Sequence, residues 1–244
     1  MNLTASNGSL IELPNDPLVT AHFAEPINCG QQILDQLKGL PYSFIEGKDL
    51  VGIDLGANVG LFALHMVNQC RRLICVEPTP SHFAVLSTLT APYPQITLCH
   101  IAIADFNGET RLKIVPVNST MNSTARLMAE MTPDQEGVTV TCRTLPAFII
   151  RDMNLSHVDF VKVDIEGEEH TSLTEQTLDP LKDIVKSWYV ECHQKDRVQA
   201  KNEEEVGIKA NAQIHDARVK LAYLFRQLEY QTELVRHDAV RAWK

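Results

Sequence analysis

Apolar residues along this chain fall into two alternating kinds of run, one short and solid, the other longer and striped. "LVGIDL" (50 to 55), "RLICVEP" (72 to 78) and "QITLCHIAIAD" (95 to 105) are solid runs stopped by Gly, Pro or an acid. That is the pattern of strands buried on both faces. Between them, "GLFALHMVNQC" (60 to 70) and "HFAVLSTLTAPY" (82 to 93) have the length and period of helices. Strand, helix, strand, helix, strand within about 55 residues predicts a parallel sheet with crossover helices.

The segments on either side extend this core. "CGQQILDQLKGL" (29 to 40) places Ile33, Leu34, Leu37 and Leu40 at helical spacing. "TRLKIVPV" and "GVTVTCRTL" alternate apolar and polar residues and read as an antiparallel pair. "LPAFIIRDM" reads as a short helix, and "HVDFVKVDIEG" (157 to 167) as a further buried strand ending in carboxylates. "EEHTSLTEQTL" starts a helix, and "DIVKSWYVECH" (183 to 193) is the next strand. "KNEEEVGIKANAQ" reads as a charged loop. "HDARVKLAYLFRQLEY" (215 to 230) is a helix with a stripe at Val219, Ala222, Leu224, Phe225 and Leu228, and "QTELVRHDAVRAWK" is a terminal hairpin. There is no internal repeat or low-complexity linker. The economical division is an arm or short strands at 1–27, then one domain at 28–244.

Composition narrows the function classes. Hydrophobic residues make up 44% and charged residues 22% of 244, a globular balance. The net charge of -9 argues against a nucleic-acid binder, which needs a basic face. No stretch approaches the roughly 18 apolar residues of a membrane span. "MNLTASNGSLIELPND" has neither the basic start nor the apolar centre of a signal peptide, so the expected location is cytoplasmic. The Asn-x-Ser/Thr matches at Asn2, Asn7, Asn118, Asn122 and Asn154 then read as chance. The six cysteines have no CxxC or zinc spacing, and read as reduced core thiols.

The candidate chemistry begins at "VGIDLGANVGLF" (51 to 62). A turn there lies at the carboxyl end of a parallel strand, where open α/β sheets bind ligands. The dinucleotide pattern G-x-G-x-x-G fails, with Asn58 in place of its second glycine and Leu61 in place of its third. S-adenosylmethionine, which has no phosphate, suits Asp54, Gly56 and Gly60 in D-x-G-x-x-x-G spacing, with a carboxylate to face its ammonium. Glu77, at the end of the second strand, can accept hydrogen bonds from both ribose hydroxyls.

A second set of candidates follows two later strands. Asp164 with Glu166, and Glu191 with His193, are spaced two apart, so each pair shares a face of an extended strand. Where a reaction at these strand ends needs a group to take a proton, His193 or Asp164 is the candidate base. Mg²⁺ held by Asp164, Glu166 and Glu191 is an alternative that is not favoured. Glu169 reads as structural, favoured in a helix first turn. Lys162 is expected to snorkel to the surface, and His65 and His170 to have no chemistry. Of Trp188 and Tyr189, one should face the core and the other pack under a helix. Residues 116 to 136 and 194 to 213 are the irregular stretches that would choose an acceptor.

Read in order, "DLGANVG", "VEP", "IAIADFNGE", "TL", "VKVDIEGEE" and "VECH" resemble the FkbM family of class I S-adenosylmethionine-dependent methyltransferases over roughly residues 28 to 193. The resemblance implies a Rossmann-like α/β fold: a seven-stranded, mostly parallel sheet with helices on both faces and an antiparallel last strand. It implies O-methylation of a hydroxyl on a sugar, in a glycan or glycosylated metabolite such as one carrying a deoxyhexose. Carried over by position, Asp54, Gly56, Ala57, Asn58, Gly60, Glu77, Pro78 and Asp164 would bind cofactor, with Ala102 and Ile103 near the adenine. Asp164, Glu166, Gly167 and Glu169 match a second family motif and Glu191 and His193 a third, and of these Asp164, Glu166, Glu191 and His193 would form the catalytic set. One departure is Pro146, where the family commonly has Asp after "TL", which removes a helix cap. The competing readings are a catalytically degenerate partner-binding protein and an NAD-dependent oxidoreductase. Oligomeric state is not legible.

Overall fold

The computed structural model describes residues 2–4, 10–12, 15–24, 45–112, 137–194 and 203–244. The helix expected at 29 to 40 and the stretch 116 to 136 lie outside these residues, as does most of 194 to 202. The chain divides into two compact units, Met1–His100 and Ile101–Lys244.

The first unit holds β1 (Asn2–Thr4) and β2 (Leu10–Glu12), an antiparallel pair within the expected arm, and the helix Pro17–Ala24. It then runs through β3 (Leu50–Leu55), the helix Leu61–Met66, β4 (Cys70–Val76), the helix Pro80–Thr90 and β5 (Ile96–Cys99). Both β3–β4 and β4–β5 are parallel. Every residue of β3 is buried, which explains why its sequence is solid rather than alternating. Pro80 opens its helix at a position where a missing N–H costs nothing. The first helix is shorter than its apolar pattern, because 67 to 69 turn the chain into β4.

The second unit contains a three-stranded sheet of order β6-β8-β7, from β6 (Ala102–Ile103), β7 (Gly108–Leu112) and β8 (Val138–Arg143). The expected antiparallel pair is β7–β8. Its core is Ala102, Ala104, Leu112, Val140 and Cys142. The solid run at 95 to 105 is therefore two strands in different sheets, β5 and β6, a correction to the single strand expected. The break falls at His100–Ile101, where an apolar residue continues the run without continuing the ladder.

The same unit continues through a π-helix, Ala147–Asp152, which starts at Pro146 without a side-chain cap. After β9 (Phe160–Val163) come the short helices Glu169–Ser172 and Glu175–Leu178, the second opened by a Thr174–Thr177 capping box. These replace the single helix expected from "EEHTSLTEQTL". Then follow β10 (Ser187–Glu191), the helix Glu203–Gln227, β11 (Gln231–Val235) and β12 (Ala239–Trp243). The charged stretch expected as a loop is helical from Glu203 onward. Its Glu, Lys, Ala and Gln are strong helix formers, and polarity alone does not make a loop.

The main sheet has seven strands: β3, β4 and β5 in that order from the first unit, and β11-β12-β10-β9 from the second. It is mostly parallel, and its last strand, β12, runs antiparallel to β10 on one side and β11 on the other. This is the fold class the sequence implied. No helix among the described residues is long and apolar enough to cross a membrane.

The long helix buries Leu221, Ala222 and Phe225, with Leu228 buried just past its end, whereas Val219, expected in the stripe, is 46% exposed. Phe225 sits with its ring centroid 5.7 Å from Trp188 and 5.6 Å from Tyr230, the latter edge-on. Tyr230 anchors this cluster by donating to the Val185 carbonyl at 2.6 Å. Trp188 and Tyr189 are both buried. Phe225→Ala should lower the unfolding free energy by about 3–5 kcal/mol, the usual cost of emptying an aromatic core site. Urea denaturation followed by tryptophan fluorescence checks this, since Trp188 reports on the same cluster.

Candidate functional site

In the first unit, the segment after β3 wraps over the end of β4. Gly56 N–H and Ala57 N–H both donate to the Val76 carbonyl, at 3.0 and 2.9 Å. The turn needs left-handed backbone at three places: φ is +78° at Gly56, +50° at Asn58 and +91° at Gly60. Asn is one of the few side chains that tolerates this region. Gly60 has a second constraint, since a Cβ there would stand 2.6 Å from Leu86 Cδ1. The glycine spacing seen in the sequence is thus set by backbone conformation and by close packing on the helix Pro80–Thr90.

Glu77 ties this turn to the next one. One carboxylate oxygen accepts from Asn58 N–H at 2.9 Å, the other from Thr79 N–H at 2.8 Å. The side chain is buried, and His82 Nδ1 lies 3.7 Å from it. A carboxylate has about four acceptor sites, so two amides leave capacity for two more donors. Asp54 lies wholly buried on β3, opposite Cys75. Pro78 presents its carbonyl to the ring of His100, which stacks on Phe83 at 4.4 Å.

In the second unit, the ends of β9 and β10 bring together Asp164, Glu166 and His193. His193 Nε2 is 3.5 Å from Asp164 Oδ1 and 3.8 Å from Glu166 Oε2. Glu166 takes left-handed backbone, φ +53°, ahead of Gly167 at +101°. Lys162, expected at the surface, is buried, with Nζ 3.3 Å from Asp164 Oδ2. Burying an ammonium is costly without a partner, and Asp164 is that partner. Donor atoms of Asp164, Glu166 and His193 all lie within 4.8 Å of one another, close enough for one divalent cation. The two carboxylates already face cationic side chains of the protein, Lys162 at Asp164 and His193 at both.

Glu169 falls in the same sequence motif as Asp164 and Glu166 but reads there as a structural acid of a helix first turn, not as a partner of His193. Its carboxylate is 2% exposed. One oxygen accepts from Gly167 N–H at 2.8 Å, the other from both the backbone N–H and ring Nδ1 of His193, the latter at 3.1 Å. The next residue, His170, meets the His193 carbonyl through Nε2 at 2.7 Å. The signal that could have found Glu169 is its place in "DIEGEEH", five residues past Asp164 on the far side of a tight glycine turn.

These neighbours set the protonation of the cluster. Burial alone would lower the His193 pKa, but the hydrogen bond and charge of Glu169, then the charges of Glu166 and Asp164, hold it well above its ordinary value. Burial would raise Glu169, and the His193 ring and backbone N–H bring it below its ordinary value. Asp164 is also held low, with Lys162 and His193 outweighing its burial. Burial pushes Glu166 up to about 8, and Glu191 up to about 7, the latter reinforced by the charge of Asp164.

The remaining sequence candidates, Ala102 and Ile103, lie in β6, buried and paired with Cys142 and Arg143.

The Methyltransferase FkbM domain matches this chain over residues 54–231, which includes both the glycine turn and the carboxylate–histidine cluster. The chain belongs to the FkbM methyltransferase family. No curated protein matches it. Among solved structures, an FkbM methyltransferase from Methylobacillus flagellatus KT is similar at 15% identity and a TM-score of 0.46, covering 93% of this chain and 57% of that one. The present chain thus spans little more than half the length of that protein. Magnesium protoporphyrin IX methyltransferase from Synechocystis PCC 6803 is similar at 10% identity and a TM-score of 0.42, covering 96% of this chain and 86% of that one. Aeropyrum pernix fibrillarin is similar at 13% identity and a TM-score of 0.41, covering 85% of this chain and 71% of that one.

The Glu169–His193 pair of this FkbM domain should leave a mark on stability. His193, with a raised pKa, stabilises fully below its ordinary value of 6.5, and this contribution is lost as pH rises through the raised value. Glu169, with a lowered pKa, stabilises above its ordinary value of 4.5, and this is lost as pH falls through the lowered value. Glu169→Gln should therefore flatten both flanks of the melting temperature plotted from about pH 3 to about pH 9. Thermal denaturation measures it, and unchanged flanks would show that the pair is not ionised in the folded protein.

Proposed function

We propose that this FkbM domain, residues 28–244 with 1–27 as an arm, is an S-adenosylmethionine-dependent O-methyltransferase acting on a hydroxyl of a sugar, in a glycan or glycosylated metabolite. The observation that carries the cofactor reading is Glu77. Its carboxylate is fixed by Asn58 and Thr79, with acceptor capacity left for a pair of neighbouring hydroxyls such as those of a ribose. Asp54, Gly56, Ala57, Asn58, Gly60 and Pro78 complete the turn proposed to hold the cofactor, and Ala102, Ile103 and Asp164 are proposed as further contacts. Against a dinucleotide, Asn58 supplies the left-handed conformation but brings a side chain where the pyrophosphate needs bare backbone.

When bound, S-adenosylmethionine supplies a methyl group already activated on a sulfonium. What remains for the protein is to align the acceptor oxygen and receive its proton. The second unit's cluster is suited to that. Glu191, raised to about 7, can take a proton at neutral pH, whereas Glu166, raised to about 8, already carries one for most of the time and Asp164 is held as an anion. His193, one of the two bases expected from the sequence, is held as a cation and serves better to fix the carboxylates around it than to remove a proton. The polar acceptor and the sugar are supported by family membership together with this proton-accepting set.

Glu77→Ala should weaken binding of S-adenosylhomocysteine by about 1–3 kcal/mol, the cost of losing hydrogen bonds to a charged acceptor. Calorimetric titration of the two proteins measures this, and equal affinities would refute the ribose role. Titration with NAD beside it separates the oxidoreductase reading, and no binding of either would leave a partner-binding protein.

A further inference from the structure

Three features of Glu169 go beyond a helix cap. It is the first residue of its short helix, yet its oxygens accept from Gly167, outside the helix, and from His193, after the neighbouring strand. The oxygen that receives the His193 ring also receives the His193 backbone N–H, so ring and main chain are held by one atom. His170 holds the carbonyl of the same residue from the other side. His193 is thus gripped at N–H, C=O and Nδ1 by two consecutive residues.

Burying a carboxylate at 2% exposure to meet a histidine is a weak way to gain stability, because desolvation offsets most of the attraction. Orientation is what such a contact does supply. With Nδ1 turned to Glu169, Nε2 is the nitrogen that faces Asp164 and Glu166, at 3.5 and 3.8 Å. These three side chains are also the accessible part of the cluster: His193, Asp164 and Glu166 are 25%, 29% and 26% exposed, against 2% for Glu169.

We infer that Glu169 is a positioning residue, which fixes the His193 ring so that Nε2 is presented to Asp164 and Glu166 on the accessible side of the cluster. This rests on the methyltransferase reading only for its kinetic consequence. The ring geometry stands or falls by itself.

The test uses the full chain with ¹⁵N-labelled histidine. In the wild type, the His193 ring should show a proton on Nδ1 shifted by a carboxylate partner. In Glu169→Gln that signature should be lost, while S-adenosylhomocysteine affinity stays as in the wild type. Transfer turnover should fall about 100-fold with little change in KM, because the carboxylates that the His193 ring fixes lose their alignment. In a His193→Gln background, adding Glu169→Gln should cost nothing further, because the effect runs through the ring. Glu169→Asp, too short to reach, should behave like Glu169→Gln. A wild-type ring with no Nδ1 proton, or a Glu169→Gln ring unchanged from wild type, overturns the inference. So does a further loss of turnover in the double variant. If neither protein transfers methyl groups while the ring signatures behave as stated, the positioning holds and the methyltransferase reading fails.

Discussion

A carboxylate taken out of water has to find donors, and in both units of this chain the donors are backbone amides of the loops that follow parallel strands. Glu77 accepts from the loop after β3 and from the turn after its own strand. Glu169 accepts from the loop after β9 and from the chain leaving β10. In each case one buried acid joins the segments that follow two parallel strands. Loops are ordinarily the most variable part of an α/β fold. Here the loops carrying the candidate chemistry are held from beneath by a charge that can be satisfied only if both are in place.

That constraint explains the backbone around it. Asn58 and Glu166 both adopt left-handed conformations without being glycine, and each is followed within two residues by a glycine that does the same. Bringing an amide to a buried carboxylate requires a sharp reversal straight after the strand. The left-handed region provides it over one or two residues. The glycines are thus the geometric complement of the acids, and the pairing of D-x-G with a later Glu, or of D-x-E-G with the following Glu, has one physical origin.

Much of the fold was legible because its strands are buried on both faces and so read as solid apolar runs. The turn of 54 to 60 and Glu77 were legible because acid and glycine stand at a strand end, where few structural roles compete. What escaped notice depended on distance in space rather than on pattern. Lys162 alternates with Asp164 as a surface lysine would, and its burial is not marked by its place in the sequence. Glu169 has the residue type and position of an ordinary helix first-turn acid, and its partner His193 is 24 residues away. The run at 95 to 105 is uniformly apolar, so nothing in its composition marks where the chain leaves one sheet for another. The charged stretch before His215 was read by its polarity, while its helix-forming residue types were the better guide.

β12 is slotted between β10 and β11, and the Asp238 carbonyl, just ahead of it, receives the Cys192 N–H at 2.7 Å. The strand carrying Glu191 and leading to His193 therefore owes one of its edges to β12. With β12 out of its slot, that edge of β10 would present a row of unpaired N–H and C=O groups, a template for pairing with another chain. The hairpin thus guards the flank of the carboxylate–histidine cluster against self-association as well as bracing it.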